Sequence, residues 1–232
     1  YVMCPPEFFG VDYVINPWMS GNVGGVSHAL AARQWTALYE TLSKHATVRL
    51  VDPVKGLPDM VFTANAGIRA RGSASLCANT VVVSNFREEP RKPEAAVFRR
   101  WFRAQGYDAD FLDSGLSFEG AGDALYDAHQ RLWVGYGFRS MPEAAPLLAL
   151  RLNAVHYPLR LIDPRFYHLD MAFCPLNNGG LLYYPGAFDQ HGREIIESAF
   201  PAQDRIAVTE ADAHRFVCNA VNINGHLITN AA

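Results

Sequence analysis

Charge is thin in this 232-residue sequence: Asp, Glu, Lys and Arg make up 19% of it, and no lysine or arginine run is longer than a pair. With a formal net charge of -3, the chain lacks the basic footprint of a nucleic-acid or anionic-membrane binder. No apolar run approaches the roughly 18 residues of a membrane span. The opening stretch YVMCPPEFFG has neither the charged nor the apolar region of a secretory signal. Cysteine is scarce too. Cys4, Cys77, Cys174 and Cys218 stand far apart with no CxxC pair, which argues against a disulfide framework and for buried, reduced thiols. These absences point to a cytoplasmic protein with a small-molecule or protein partner, no nucleic acid and no membrane.

What is present is a repeat. Half of the residues are hydrophobic, enough for a sizeable core. Four short apolar stretches carry an Asn or Asp: VFTANAGI with Asn65, GDALYDA with Asp123, HLDMAFCPL with Asp170 and VCNAVNI with Asn219, at spacings of 58, 47 and 49 residues. Each reads as a strand. A second strand follows (TVVVSNF, RLWVGYGF, LLYYPGAF, HLITNAA), and after the first three of these comes a helical pattern and then a returning strand (YDADFL, AVHYPL, RIAVTE). The beginning of the chain fits the same order entered midway: YVMCPPEFF as a second strand, VSHALAARQWTALYETLSKHA as a helix, TVRLVDP as the return. The unit of strand, strand, helix, strand predicts an α/β ring with pseudo-fivefold repeats. Residues 1–232 then form one domain whose last blade is incomplete, lacking a final helix and strand. An unpaired strand edge favours self-association, so a homo-oligomer is one outcome such an edge allows.

In a closed ring, polar residues at matching positions converge near the axis. Asp170, Asp123 and Glu119 in FEGAGDAL would make a cation-seeking pocket, since buried acids demand partners, and the glycines of FEGAGDAL would let a ligand approach closely. A planar cation gripped by bidentate forks is a guanidinium. No cofactor is expected. A metal held by His168, Asp170 and Cys174 has suitable ligand types, but strand alternation spaces them poorly.

Several blocks, MCPPEFFGVDYVINPWM, LPDMVFTANAG, FEGAGDAL, GYGFRS and RLIDPRFYHLDMAFCPL, resemble the guanidine-modifying branch of the pentein superfamily, and most of all its bacterial and cyanobacterial arginine dihydrolases. The resemblance implies a five-bladed α/β propeller. It also implies a cysteine-dependent hydrolase of carbon–nitrogen bonds in amidines, working through a covalent amidino-enzyme. On that resemblance, His168 is the general acid and base, and Glu119 and Asp170 are the carboxylates that hold the guanidinium. Asn65 stands where deiminases carry an aspartate, which is associated with continuing past citrulline to ornithine. Asn16 and Arg139 match groups for the amino-acid end of the substrate, Asp59 and Phe62 match pocket walls, and Asp123 either binds or braces the strand. Arginine deiminase, dimethylargininase, amidinotransferase and a non-catalytic guanidinium-binding remnant remain as alternatives.

Two features depart from that pattern. The family nucleophile lies in a GG..C context on a terminal strand, and no such stretch precedes Ala232, so the nucleophile is expected beyond residue 232. Cys174 and Cys218 fall one to four residues away from the Asx positions and are poor substitutes. Relatives usually carry SRF where this chain has SNF with Asn85, which removes a charge-assisted contact to the substrate carboxylate; Arg87 or Arg91 could reach in from the loop REEPRKPE.

Overall fold

In the computed structural model, which describes residues 1–71, 78–113 and 115–230, the middle of the chain runs through the same unit three times. Strand β1 (Val2–Met3), helix α1 (His28–Ser43) and strand β2 (Arg49–Leu50) come first, with β1 and β2 parallel. Then β3 (Gly67–Arg69) pairs antiparallel with β4 (Thr80–Val83), helix α2 (Lys92–Ala104) crosses over, and β5 (Asp108–Asp110) returns parallel to β4. A short helix α3 (Gly120–Asp123) leads into β6 (Ala124–Tyr126), β7 (Leu132–Tyr136), helix α4 (Ala144–Leu152) and β8 (His156–Arg160), paired the same way. The third copy is β9 (Phe173–Pro175), β10 (Leu181–Tyr183), helix α5 (Gln190–Ala199) and β11 (Arg205–Ala207). Helix α6 (Glu210–His214) and the hairpin of β12 (Val221–Ile223) with β13 (His226–Ile228) follow.

Local chemistry explains the helices. Ala95, Phe98 and Phe102 recur at three- and four-residue steps along α2 and are buried, so one stripe faces the sheet. Gly106, at φ +87, ends the turn that follows. Helix α4 buries Ala144, Ala145, Leu148 and Leu152 and stops at Asn153 in the left-handed region. Asp189 caps α5 through Gly192 N. Trp133 on β7 is fully buried against Phe173 and Phe200, with ring centroids 5.0 and 5.3 Å away, and its indole N–H donates to Asp127.

Each unit touches the next through polar contacts. Thr63 Oγ1 donates to Val2 O, Asn65 to Glu119 O, Leu169 N to Asp123, and Asn222 to Pro175 O. The last hairpin meets the first unit: Asn224 donates to His45 O at 2.7 Å, and the His45 and His226 rings lie 4.2 Å apart.

The four Asx residues do not sit on strands. Asn65 lies in a 3-10 turn, Thr63–Ala66; Asp123 ends α3; Asp170 lies in the turn Leu169–Met171; Asn219 is in the turn ahead of β12. Short Asn and Asp side chains compete with ladder hydrogen bonds, so they settle in the turn that feeds each strand. The strand itself shrinks to three residues in each case.

The glycines of FEGAGDAL also act differently from expectation. They admit neighbouring backbone and side chains rather than a ligand. Gly120 has φ +63, and a Cβ there would stand 2.7 Å from Gly67 N and 2.8 Å from Ala64 O. A Cβ at Gly122 would stand 2.2 Å from Asn65 Nδ2. Gly120→Ala is therefore expected to lower the urea midpoint, by about 1–3 kcal/mol of stability, with the denaturant slope unchanged.

Candidate active site

The turns that precede the strands open onto one cavity of about 660 Å³. Asp59, Phe62 and Asn65 come from the two turns ahead of β3, Arg91 from the start of α2, and Arg139 from the loop after β7. Tyr167, His168 and Asp170 come from the turn ahead of β9, and Asn16, Trp18 and Trp35 line the side towards the first unit.

His168 is the centre of the polar wall. Its Nδ1 lies 3.2 Å from Asp123 Oδ1 and its Nε2 3.4 Å from Glu119 Oε2, with all three side chains buried. Burial pushes the imidazole towards its neutral form, but Asp123, then Glu119 and Asp170, outweigh it and hold the pKa above the ordinary value. Both flanking acids are themselves held. Asp123 accepts from Leu169 N (3.1 Å) and from Ser140 Oγ (2.6 Å). Glu119 accepts from Arg87 N (3.1 Å) and from Arg139 Nη1 (3.3 Å).

Nine of the residues named from the sequence line the cavity: Asn16, Asp59, Phe62, Asn65, Arg91, Arg139, His168, Asp170 and Asn219. Glu119 and Asp123 stand behind His168 and are not part of the lining. Asn16 Oδ1 is engaged in capping the turn Pro17–Met19, accepting from Trp18 N and Met19 N. Arg139 donates to Ile15 O at 2.9 Å, and its guanidinium lies 4.7 Å above the Tyr167 ring. Burial pushes Asp170 up to about 7. Asp59 is raised for the same reason, against the pull of Arg91 and the hydroxyl of Tyr13, which donates to it at 2.9 Å.

Tyr167 and Ser140 belong to this site without having been picked out from the sequence, whereas Arg91, named there only as a group that could reach the substrate carboxylate, is held by Glu94 and Asn65. Arg91 had a signal, as a cation after Pro90 with Glu94 three residues on. Ser140 had none. Asn85 is not among the lining residues, and its amide donates to Leu116 O at 2.8 Å. None of the three described thiols lines the cavity either. Cys4, Cys174 and Cys218 are buried, and desolvation pushes them up to about 12, about 11 and about 12, away from the thiolate a nucleophile needs. Cys77 lies outside the described residues.

The Asp170 shift has a sign that can be checked. A carboxyl that titrates near 7 when folded and near 4 when unfolded binds more protons in the folded state across that window, so folding weakens as pH rises through it. Asp170→Asn is expected to remove that part of the slope and to be more stable than the parent above about pH 7. Denaturant unfolding of both proteins at acid and neutral pH measures it; parallel curves would refute the shift.

No family model matches the chain. The bifunctional arginine dihydrolase/ornithine cyclodeaminase AgrE of Nostoc sp. is 50% identical over 233 residues, covering 100% of this chain and 32% of the relative. The chain thus spans about a third of the length of that protein. The N(G),N(G)-dimethylarginine dimethylaminohydrolase of Mycobacterium tuberculosis is 40% identical over 223 residues, covering 96% of this chain and 70% of the relative. Among solved structures, the N-terminal domain of the cyanobacterial arginine dihydrolase ArgZ, a cysteine-to-serine mutant bound to substrate, superposes with a TM-score of 0.91 at 50% identity, covering 96% of this chain and 80% of that one. A dimethylarginine dimethylaminohydrolase (DDAH) of Pseudomonas aeruginosa complexed with citrulline shares the fold at a TM-score of 0.75 and 17% identity, covering 100% of this chain and 83% of that one. On identity and coverage together, the chain belongs to the guanidine-modifying branch of the pentein superfamily, with an α/β pentein-type fold.

Proposed function

We propose that this chain is the guanidine-modifying unit of an arginine dihydrolase, which converts arginine to ornithine, ammonia and carbon dioxide. The observation that carries the reading is the set on the cavity wall: a buried histidine between two carboxylates, with Asp170 and Asn65 beside it. Half-identity with two bifunctional arginine dihydrolases adds the substrate class.

Asp170 is the carboxylate that faces the guanidinium. Binding a cation there draws its proton off and turns a raised pKa into an ion pair. Arg139 and Asn16, both on the cavity lining, are assigned to the amino-acid end of the substrate. A cysteine thiolate adds to the guanidinium carbon, and the carbon–nitrogen bond breaks as ammonia leaves with a proton from His168. Neutral His168 then takes a proton from water, the hydroxide adds to the amidino carbon, and the thiolate departs. A second round on the resulting ureido group releases ammonia and carbon dioxide and leaves ornithine. Asp123 and Glu119 stabilise the histidinium in both rounds. We assign the thiolate to a cysteine other than Cys4, Cys174 and Cys218, because these described thiols are core residues with raised pKa values. The same reading makes residues 1–232 one domain of a five-bladed propeller. Its support is the succession of unit-to-unit contacts that returns from the last hairpin to the first unit. Three free thiols favour a reducing compartment such as the cytoplasm.

The relative in Mycobacterium tuberculosis supports dimethylarginine hydrolysis as the second reading. A product assay with arginine and with dimethylarginine, on a protein that carries this chain together with the nucleophilic cysteine, decides between them. Ornithine and ammonia from arginine, without citrulline as an end product, is the expected result, and His168→Ala is expected to lower turnover at least about 100-fold. Citrulline as the sole end product would overturn the dihydrolase assignment. Faster release of dimethylamine from dimethylarginine would favour the second reading.

A further inference from the structure

Arg91 is 3% exposed and surrounded by acceptors. Its Nε and Nη2 fork onto Glu94 at 3.0 and 2.9 Å, Nη2 also donates to Asp59 O at 3.3 Å, and the plane lies 4.5 Å above the Phe86 ring. The remaining terminal nitrogen, Nη1, donates to Asn65 Oδ1 at 3.1 Å. A guanidinium has five N–H donors and no acceptor, so the Asn65 atom facing it is the oxygen. On the other side Asn65 faces Glu119 O at 3.2 Å, which only accepts, so that atom is the NH2. Two independent partners therefore fix the amide in one orientation.

The consequence falls on His168. The same Asn65 NH2 lies 3.3 Å from His168 Nε2. A donor pointing at Nε2 needs a lone pair there, which leaves the proton of neutral imidazole on Nδ1, beside Asp123 Oδ1. When the ring is protonated, Nε2 gains a hydrogen and has Glu119 Oε2 at 3.4 Å to receive it. Each charge state has its own partner on the Nε2 side.

We propose that Arg91 is a positioning residue: through Asn65 it holds neutral His168 in the Nδ1–H tautomer and keeps Nε2 as the proton acceptor. Without Arg91 only Glu119 O holds the Asn65 amide, so the turned amide, which presents its oxygen to Nε2 and favours a proton there in both charge states, becomes populated. The charged groups around the ring are Asp123, Glu119 and Asp170, and all three are left in place. The catalytic meaning of this rests on the reading of His168 as the proton-transfer group, but the tautomer can be read without substrate, so the two ideas fail separately.

Nitrogen NMR of His168 in the ligand-free protein is the test. The parent is expected to show the Nδ1–H tautomer. Arg91→Lys keeps the charge and loses the fork, so Nε2–H should become populated and the histidinium about tenfold more stable, a rise of about one pKa unit. Because Glu94 is buried, the pair Arg91→Met with Glu94→Leu removes both charges together and guards against a lysine variant that does not fold. If Arg91 acts through Asn65, Arg91→Lys adds nothing in an Asn65→Leu background. An Nε2–H tautomer in the parent, or an unchanged Nδ1–H tautomer in a folded Arg91 variant, would overturn the proposal.

Discussion

A histidine kept out of water between two carboxylates is the constraint around which this molecule is arranged. Isolated buried charges are expensive, and a buried carboxylate survives only where donors surround it. Asp123 meets that demand with Leu169 N, Ser140 and His168; Glu119 does so with Arg87 N and Arg139. These donors come from three separate segments, the loop of Arg87, the loop of Arg139 and Ser140, and the turn of His168 and Leu169, so satisfying the acids also sets where those segments stand. Arg91 repeats the pattern one layer out, joining Glu94 and Asp59 to Asn65. Because the polar groups of the wall are shared between units, the cavity and the fold stabilise each other.

Much of this was legible in the sequence. The spacing of Asn65, Asp123, Asp170 and Asn219 marked the repeat, and apolar steps along α2 and α4 marked the helices, because periodic burial leaves a periodic trace. The turns ahead of the strands were not legible. A half-buried 3-10 turn such as Thr63–Ala66 and a half-buried strand give similar short sequence patterns, and only the tertiary contacts separate them. The depth of Glu119 and Asp123 was hidden for a similar reason: both appear as acids near the pocket, and sequence gives no distance from its wall. Gly122 looked like room for a ligand, whereas the space is filled by Asn65. Arg91 stood in view, but its importance depends on where Asn65 lies, 26 residues away.

Sequence spacing and thiol chemistry meet at the cysteines. Cys174 sits on β9 only four residues beyond Asp170, yet it packs with Leu182 and Cys218 in an apolar cluster. The strand that carries it leads away from the turn that carries the acid. Proximity in sequence to a charged wall is therefore compatible with a fully core-like side chain.

The wide separation of the site's partners along the chain bears on how the protein folds. His168 lies 103 residues from Asn65, and Arg139 lies 124 from Ile15. Contacts of such range close large loops and form slowly compared with helices or hairpins. The strand pairs and helices can form early as local pieces, but the acid–imidazole set exists only after distant turns have docked. A partly folded chain therefore holds its carboxylates in water without the histidine between them, and the polar wall of the cavity is completed as one of the last events of folding.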